Sequence, residues 1–371
     1  MDLTITAKLR ILPASEEHAL LLATMRAYTS ACNYVAAYIF HTCDLNPVSL
    51  NKALYYDLRA RFSLRSQMAQ SVLKTVVSRY KAIRSVDNKW VRPIFKKLEY
   101  NLVWNRDYSL CSGVFSVNTL EGRIRMAFRM DGMEKYFDGS WTFGTAKLVT
   151  RNGKWFLHIP MTKSGLGCSD EDLSNVVGID LGINFLAVSY NSDGKTVFCP
   201  GREIKQRRAE FKQLRKELQQ RGTPSARRRL KKTGSRENRW MHDVNHRVSK
   251  ALVTSSPVNT LFVLEDLTGI RNATERVSLK NRYLTVSWAF YDLRKKLEYK
   301  AVLYGSKTIA ADPAHTSQTC PKCGHISKDN RDRKNHLFTC KACGYRSNDD
   351  RIAAMNLYRK GIEYLSAVAD E

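Results

Sequence analysis

The sequence predicts a multidomain α+β protein: a β-rich first part interrupted by helices, then an α/β domain with an embedded metal knuckle. Three observations lead there. Residues 100–163 break into short strands separated by turn residues. Beyond residue 175, apolar strands alternate with helical segments. Four cysteines, Cys320, Cys323, Cys340 and Cys343, fall at knuckle spacing. With 371 residues, 43% hydrophobic and 10% aromatic, the chain has material for several folded cores.

Residues 2–12, DLTITAKLRIL, alternate as a strand. Pro13 and Ser15 then open a long helix reaching the YIF at 38–40. A second helix covers 66–84, with Met68, Val72, Val76, Tyr80 and Ile83 in one stripe. Its other face carries Gln67, Gln70, Lys74, Ser78 and Lys81. Amides and lysines in that pattern could meet base edges and phosphates; an ordinary solvated face looks the same. The strands of 100–163 are punctuated by Glu121-Gly122 and Asn152-Gly153, which predicts an antiparallel barrel or sandwich. Strand 2–12 could complete it, making the helices near 13–95 an insertion. Residues 164–175 read as a linker.

From 176 to 200 the pattern gives three apolar strands, with Asp193-Gly194 at a hairpin. Residues 202–250 hold seventeen Lys or Arg against five Asp or Glu, Arg227, Arg228 and Arg229 among them. Ile204, Phe211, Leu214 and Leu218 share one helix face there. A solvent helix laced with ion pairs would balance its signs better, so phosphate tracking is the favoured role. A buried strand at 259–267, a helix at 286–304, a strand at 306–312 and a helix at 350–367 follow.

The chain carries 61 basic and 35 acidic residues, a net charge of +26, which points to a polyanion partner rather than a merely soluble basic enzyme. No apolar leader segment and no run of about 18 uncharged apolar residues is present, so neither a signal peptide nor a membrane span is expected. Cys32, Cys43, Cys111, Cys168 and Cys199 are scattered and read as reduced thiols, which suits a cytoplasmic protein.

The clustered cysteines form two Cys-x-x-Cys pairs separated by sixteen residues, each followed by a glycine, Gly324 and Gly344. Each pair lets two thiolates reach one tetrahedral ion, which predicts one structural Zn²⁺ and disfavours a redox dithiol. His315, His325 and His336 lie close enough in sequence to compete as ligands.

Three carboxylates stand out because apolar segments lead to them. Asp180 ends the strand VVGID, between Gly178 and Gly182, which leave room for a ligand or for close backbone approach. Glu265 ends the strand LFVLE, and Asp350 begins the last helix. A carboxylate in such a strand is costly unless paired or bound to a cation, and oxygen ligands suit Mg²⁺ or Mn²⁺. Locally each has a plainer explanation: a turn cap, an ion-pair member, a helix cap. Together they match an RNase H-like order of three strands, helix, strand, helix, strand, helix. Periodicity does not decide between Asp349 and Asp350, and Asn348 or Asp349 would cap the helix.

The segments GIDLGIN, LEDLTGI, TSQTCPKCG, CKACGYRSNDDRIAAMNL, NRWMHDVNHRVSKALV and GKWFLHIPM together resemble the TnpB family of transposon-encoded, RNA-guided nucleases, which are related to compact type V CRISPR effectors. The resemblance is specific in the C-terminal half and weaker over 13–100. It implies a RuvC-type triad at Asp180, Glu265 and Asp350, because the family's last acid stands three residues before the alanine pair. It implies a wedge-type β-barrel (1–12 and 96–165), an inserted helical recognition lobe (13–95), a RuvC nuclease domain (166–312 and 350–371) and a zinc ribbon (313–349). The implied partners are a guide RNA and double-stranded target DNA with its displaced strand, held by a monomeric protein in a bacterial or archaeal ribonucleoprotein associated with the nucleoid. Gln67, Gln70, Asn118 and Thr119 lie where the family reads a short target-adjacent motif. A guided binder with little cleavage, a CRISPR effector, and a DDE-type transposase or resolvase remain the alternative expectations.

Overall fold

The computed structural model describes residues 2–87, 89–182, 184–266 and 289–370, and its contacts group into two units, 2–164 and 165–371. The first begins with β1 (Leu3–Leu12) and three helices, α1 (Ser15–Thr42), α2 (Pro47–Phe62) and α3 (Ser66–Asp87). Seven strands follow: β2 (Glu99–Leu102), β3 (Tyr108–Cys111), β4 (Val114–Asn118), β5 (Arg123–Arg129), β6 (Thr142–Phe143), β7 (Ala146–Arg151) and β8 (Lys154–Lys163). They form one sheet with β1, in the order β2-β7-β8-β1-β5-β4-β3, with β6 beside β8.

β1 runs antiparallel to β8 from Leu3–Lys163 to Ile11–Trp155 and meets β5 on its other side. Its alternation buries Ala7, Leu9 and Ile11. Asn152 and Gly153 both take positive φ, 53° and 70°, as a primed hairpin turn requires. In α3 the stripe Met68, Val72, Val76 and Tyr80 is buried, while Ile83 is only half-buried. The sequence reading passed over α2. Its signals are nevertheless plain: Asn46 accepts from the Val48 amide at 2.9 Å, Pro47 opens the first turn, and Leu50, Leu54 and Leu58 form the buried stripe.

In the second unit, β9 (Asn175–Asp180), β10 (Phe185–Asn191), β11 (Thr196–Pro200), β12 (Thr260–Glu265) and β13 (Lys307–Ala311) form a sheet in the order β11-β10-β9-β12-β13. β9, β12 and β13 are parallel; β10 and β11 are antiparallel. The basic stretch is two helices, α4 (Arg202–Arg221) and α5 (Pro224–Thr254). Gly222, at φ 62°, ends the first, and Thr223 caps the second. α6 (Ala289–Leu303) supplies the next helix, and 286–288 of the expected span lie outside the described residues.

One sheet face packs Val177, Ile179, Phe262 and Leu264 against Leu252 and Val253 of α5 and Leu297 of α6. The other packs Val176, Leu261 and Val263 against Leu357 of α7 (Asp349–Ala369). Burial on both faces explains why β9 and β12 read as continuous apolar runs. α7 crosses β9 at backbone contact: a Cβ on Gly178 would lie 2.1 Å from the Ala354 carbonyl oxygen and 2.3 Å from the Tyr358 nitrogen. The space at Gly178 therefore belongs to a helix, not to a ligand. The expected linker is pinned at Asp170, which pairs with Lys307 and accepts from the Tyr364 hydroxyl at 2.7 Å.

Between β13 and α7 the chain folds β14 (Arg331–Asp332), β15 (Leu337–Thr339) and β16 (Arg346–Asn348) into a small antiparallel sheet. The chain as a whole is thus a mixed α+β protein with a large antiparallel sheet, a mixed sheet and a four-cysteine cluster.

Candidate functional site

The small sheet carries two matched knuckles. Cys320 and Cys340 accept from the amides of Gly324 and Gly344 at 2.9 and 3.0 Å, and both glycines take positive φ. Sγ of Cys320 lies 3.6 Å from that of Cys343, and Sγ of Cys323 lies 3.5 Å from that of Cys340. All four sulfurs converge, so the cluster could hold one zinc ion as a closed site. None of the three expected competitors joins it: His315 and His325 are exposed, and His336 groups with Asp349 and Asp350.

The structure brings the three singled-out carboxylates into one electrostatic neighbourhood. Asp180 and Glu265 end the adjacent parallel strands β9 and β12, so both sit at the carboxyl ends of neighbouring inner strands. Asp350 is delivered by the exit from β16, where Asn348 caps α7 by accepting from the amides of Asp350 and Arg351 at 3.1 Å each. The cap is thus Asn348, and Asp349 does a different job: fully buried, it receives Arg331 Nε at 2.8 Å.

Asp180 is 9% exposed, and its carboxylate has no hydrogen bond or ion pair among the described residues. Burial, then the charges of Glu265 and Asp350, hold it well above the usual carboxylate range. Burial also raises Glu265, against a hydrogen bond from the Thr316 hydroxyl at 2.5 Å and the charges of Arg331 and Lys360. Burial and the neighbouring Asp349 raise Asp350, opposed by His336, Arg331 and Lys205. A buried, unpartnered carboxylate among like charges fits oxygen coordination of a divalent cation. Arg331 faces the whole cluster; besides Asp349 it donates to Ser317 at 3.1 Å and approaches Asp350 at 4.0 Å. Lys205 of α4 donates to Asn184, whose amide contacts the His336 ring.

Sequence reading missed Arg331, Lys205, Asn184 and Thr316. Each arrives from a different segment, and no local spacing marks it. The residues proposed for nucleic-acid contact fall in two groups. Gln67 and Asn118 meet through Arg106: Gln67 accepts from its guanidinium at 3.3 Å and Asn118 donates to its carbonyl at 3.0 Å. Gln70 is half-buried, Lys74 exposed, and Thr119 fully buried with its hydroxyl donating to Gly122 at 2.8 Å. Arg227, Arg228 and Arg229 are all exposed near the start of α5.

Residues 169–271 match the OrfB_IS605 family, described as "Probable transposase", and residues 290–357 match the Cas12f1-like TNB domain. The chain is 27% identical over 252 residues to the CRISPR-associated endodeoxyribonuclease Cas12f1 of Syntrophomonas palmitatica, covering 62% of this chain and 49% of that one. It is 31% identical over 132 residues to the TnpB-like protein MJ0751 of Methanocaldococcus jannaschii, covering 35% and 46%. The chain spans about half the length of the curated relatives it matches. Among solved structures, the mini-RNA-guided endonuclease CRISPR-Cas_phi3 shares its fold, with a TM-score of 0.57, 12% identity and coverage of 96% of this chain and 92% of that one.

Proposed function

We propose that the chain is an RNA-guided, metal-dependent DNA endonuclease of the TnpB family, a reading supported by its matches to the OrfB_IS605 model and to a TnpB-like protein. The observation that carries this reading is that the charges of Glu265 and Asp350 bear on Asp180, which is buried and has no hydrogen bond or ion pair among the described residues. In this reading the second unit is an RNase H-like, RuvC-type domain with a zinc ribbon at 313–349, and the first unit combines a wedge-type barrel with a recognition lobe at 13–95.

Asp180, Glu265 and Asp350 would hold divalent cations, Mg²⁺ or Mn²⁺, which supply an activated water and stabilise the leaving oxygen of a phosphodiester. The chain's own residues prepare that place. The ends of β9 and β12 fix Asp180 and Glu265, the Thr316 hydroxyl orients Glu265, and the Asn348 cap fixes Asp350. Arg331 places positive charge beside the carboxylates, where a phosphate would approach. Sequence choice rests on pairing between guide and target strand, while basic surfaces such as α4 and α5 hold the backbone of heteroduplex or displaced strand. The ribonucleoprotein would work in a bacterial or archaeal cytoplasm; among the described residues no helix is long and apolar enough to cross a membrane.

The test is to purify the protein from cells carrying its native locus, sequence the RNA that co-purifies, and supply DNA matching that RNA. Mg²⁺-dependent cutting directed by the RNA is expected, with cutting lost and binding retained in Asp180→Ala. Cutting that needs no RNA, or strand joining in place of cutting, would overturn the guided-nuclease reading.

A further inference from the structure

His336 was singled out as a competitor for zinc, yet the fold turns it away from the cysteines. Its ring nitrogen and carboxylate oxygens of Asp349 and Asp350 all lie within 4.8 Å of one another. Donors bonded to one cation at about 2.0–2.3 Å can stand this far apart across it. The carboxylate of Asp349 is divided: Oδ2 is held by Arg331 at 2.8 Å, while Oδ1 accepts from the Asp350 amide at 3.0 Å and faces His336 Nδ1 at 3.5 Å. The Asn184 side-chain amide, itself held by Lys205, lies against both ring nitrogens. Beside the trio lies Asp180, 9% exposed and without a hydrogen-bond or ion-pair partner among the described residues.

We propose that His336, Asp349 and Asp350 form a mixed nitrogen–oxygen site for a divalent cation of the Mn²⁺ type, with the imidazole as a direct ligand. The zinc ribbon thereby contributes a ligand to a second metal position outside its own cysteines. The site shares Asp350 with the proposed cleavage centre and rests on that reading only for its use in cleavage. An imidazole ligand biases a site away from Mg²⁺, which prefers oxygen, toward metals that also accept nitrogen.

The test uses the full chain, zinc-loaded, titrated with Mn²⁺ alone and followed by pulsed electron paramagnetic resonance. Wild type is expected to show coupling from a directly bonded ¹⁴N. In His336→Gln that coupling disappears and Mn²⁺ affinity falls at least about tenfold, the scale on which ligand surroundings act. Wild type without nitrogen coupling, or an unchanged coupling in His336→Gln, overturns the proposal and leaves His336 as an ion-pair partner of Asp349. The wild-type spectrum decides the matter even where the variant fails to fold. Nitrogen coupling in a protein that cuts no DNA would keep this site and defeat the nuclease reading; guided cutting without coupling would do the reverse.

Discussion

At the scale of single residues, Asp180 carries the sharpest tension. Its folded-state carboxyl binds protons more tightly than in the unfolded chain, where the ordinary value is near 3.8. The folded state therefore loses stability as pH rises from about 4 through the raised value, and regains it as pH falls. Asp180→Asn removes that term. The metal-free variant should melt above wild type at pH 7, by roughly 2–4 °C per kcal/mol relieved, and the gap should close toward pH 4. Calorimetry across that range checks it; a variant melting below wild type at pH 7 would show that the carboxylate is not under strain. This carboxylate was legible because a charged residue ending VVGID breaks the apolar pattern. Arg331 was not. It stands in a run of mixed charge, and only the fold of the small sheet brings it to Asp349.

Among the elements, the placement of α7 on β9 governs the geometry of the site. Gly178→Ala would put a methyl group where the Ala354 carbonyl and Tyr358 nitrogen already sit. Overpacking of this kind costs about 1–3 kcal/mol. Since Asp350 lies in the first turn of α7, the displacement should also lower cleavage, on the order of a hundredfold for a shift near 1 Å. A melting curve with a cutting assay on the same preparation would test both; an unchanged cutting rate would mean that α7 gives way without moving Asp350. The glycine was visible in the sequence, but not what it served. The pattern allowed either a ligand or a close backbone approach, and long-range packing decided. The break at Gly222-Thr223-Pro224 was also in plain sight, yet the density of charge masked it as one basic stretch.

For the whole molecule, the charge of +26 makes binding a matter of salt as much as of sequence. Arg227, Arg228 and Arg229 are exposed on α5. Replacing all three with Gln should flatten the plot of log affinity for RNA or DNA against log salt by about 2–3, since each phosphate contact contributes roughly 0.7–0.9 to the slope. An unchanged slope would place the phosphates elsewhere. The succession of the five sheet strands in the second unit was readable from periodicity, because the inner strands of that sheet are buried on both faces. The register of the large sheet was not, because β1 pairs with strands more than a hundred residues away.

The small cysteine sheet touches the carboxylates twice, through Arg331 and through the Asn348 cap. Two metals would then be parties to one thermodynamic linkage. If zinc in the knuckles tightens Mn²⁺ binding at the carboxylates by some factor, Mn²⁺ must tighten zinc by the same factor. Equilibrium competition with a zinc chelator, with and without Mn²⁺, should return equal coupling in both directions and a value above one. A factor of one would mean that the two metal centres ignore each other despite sharing a few residues of backbone.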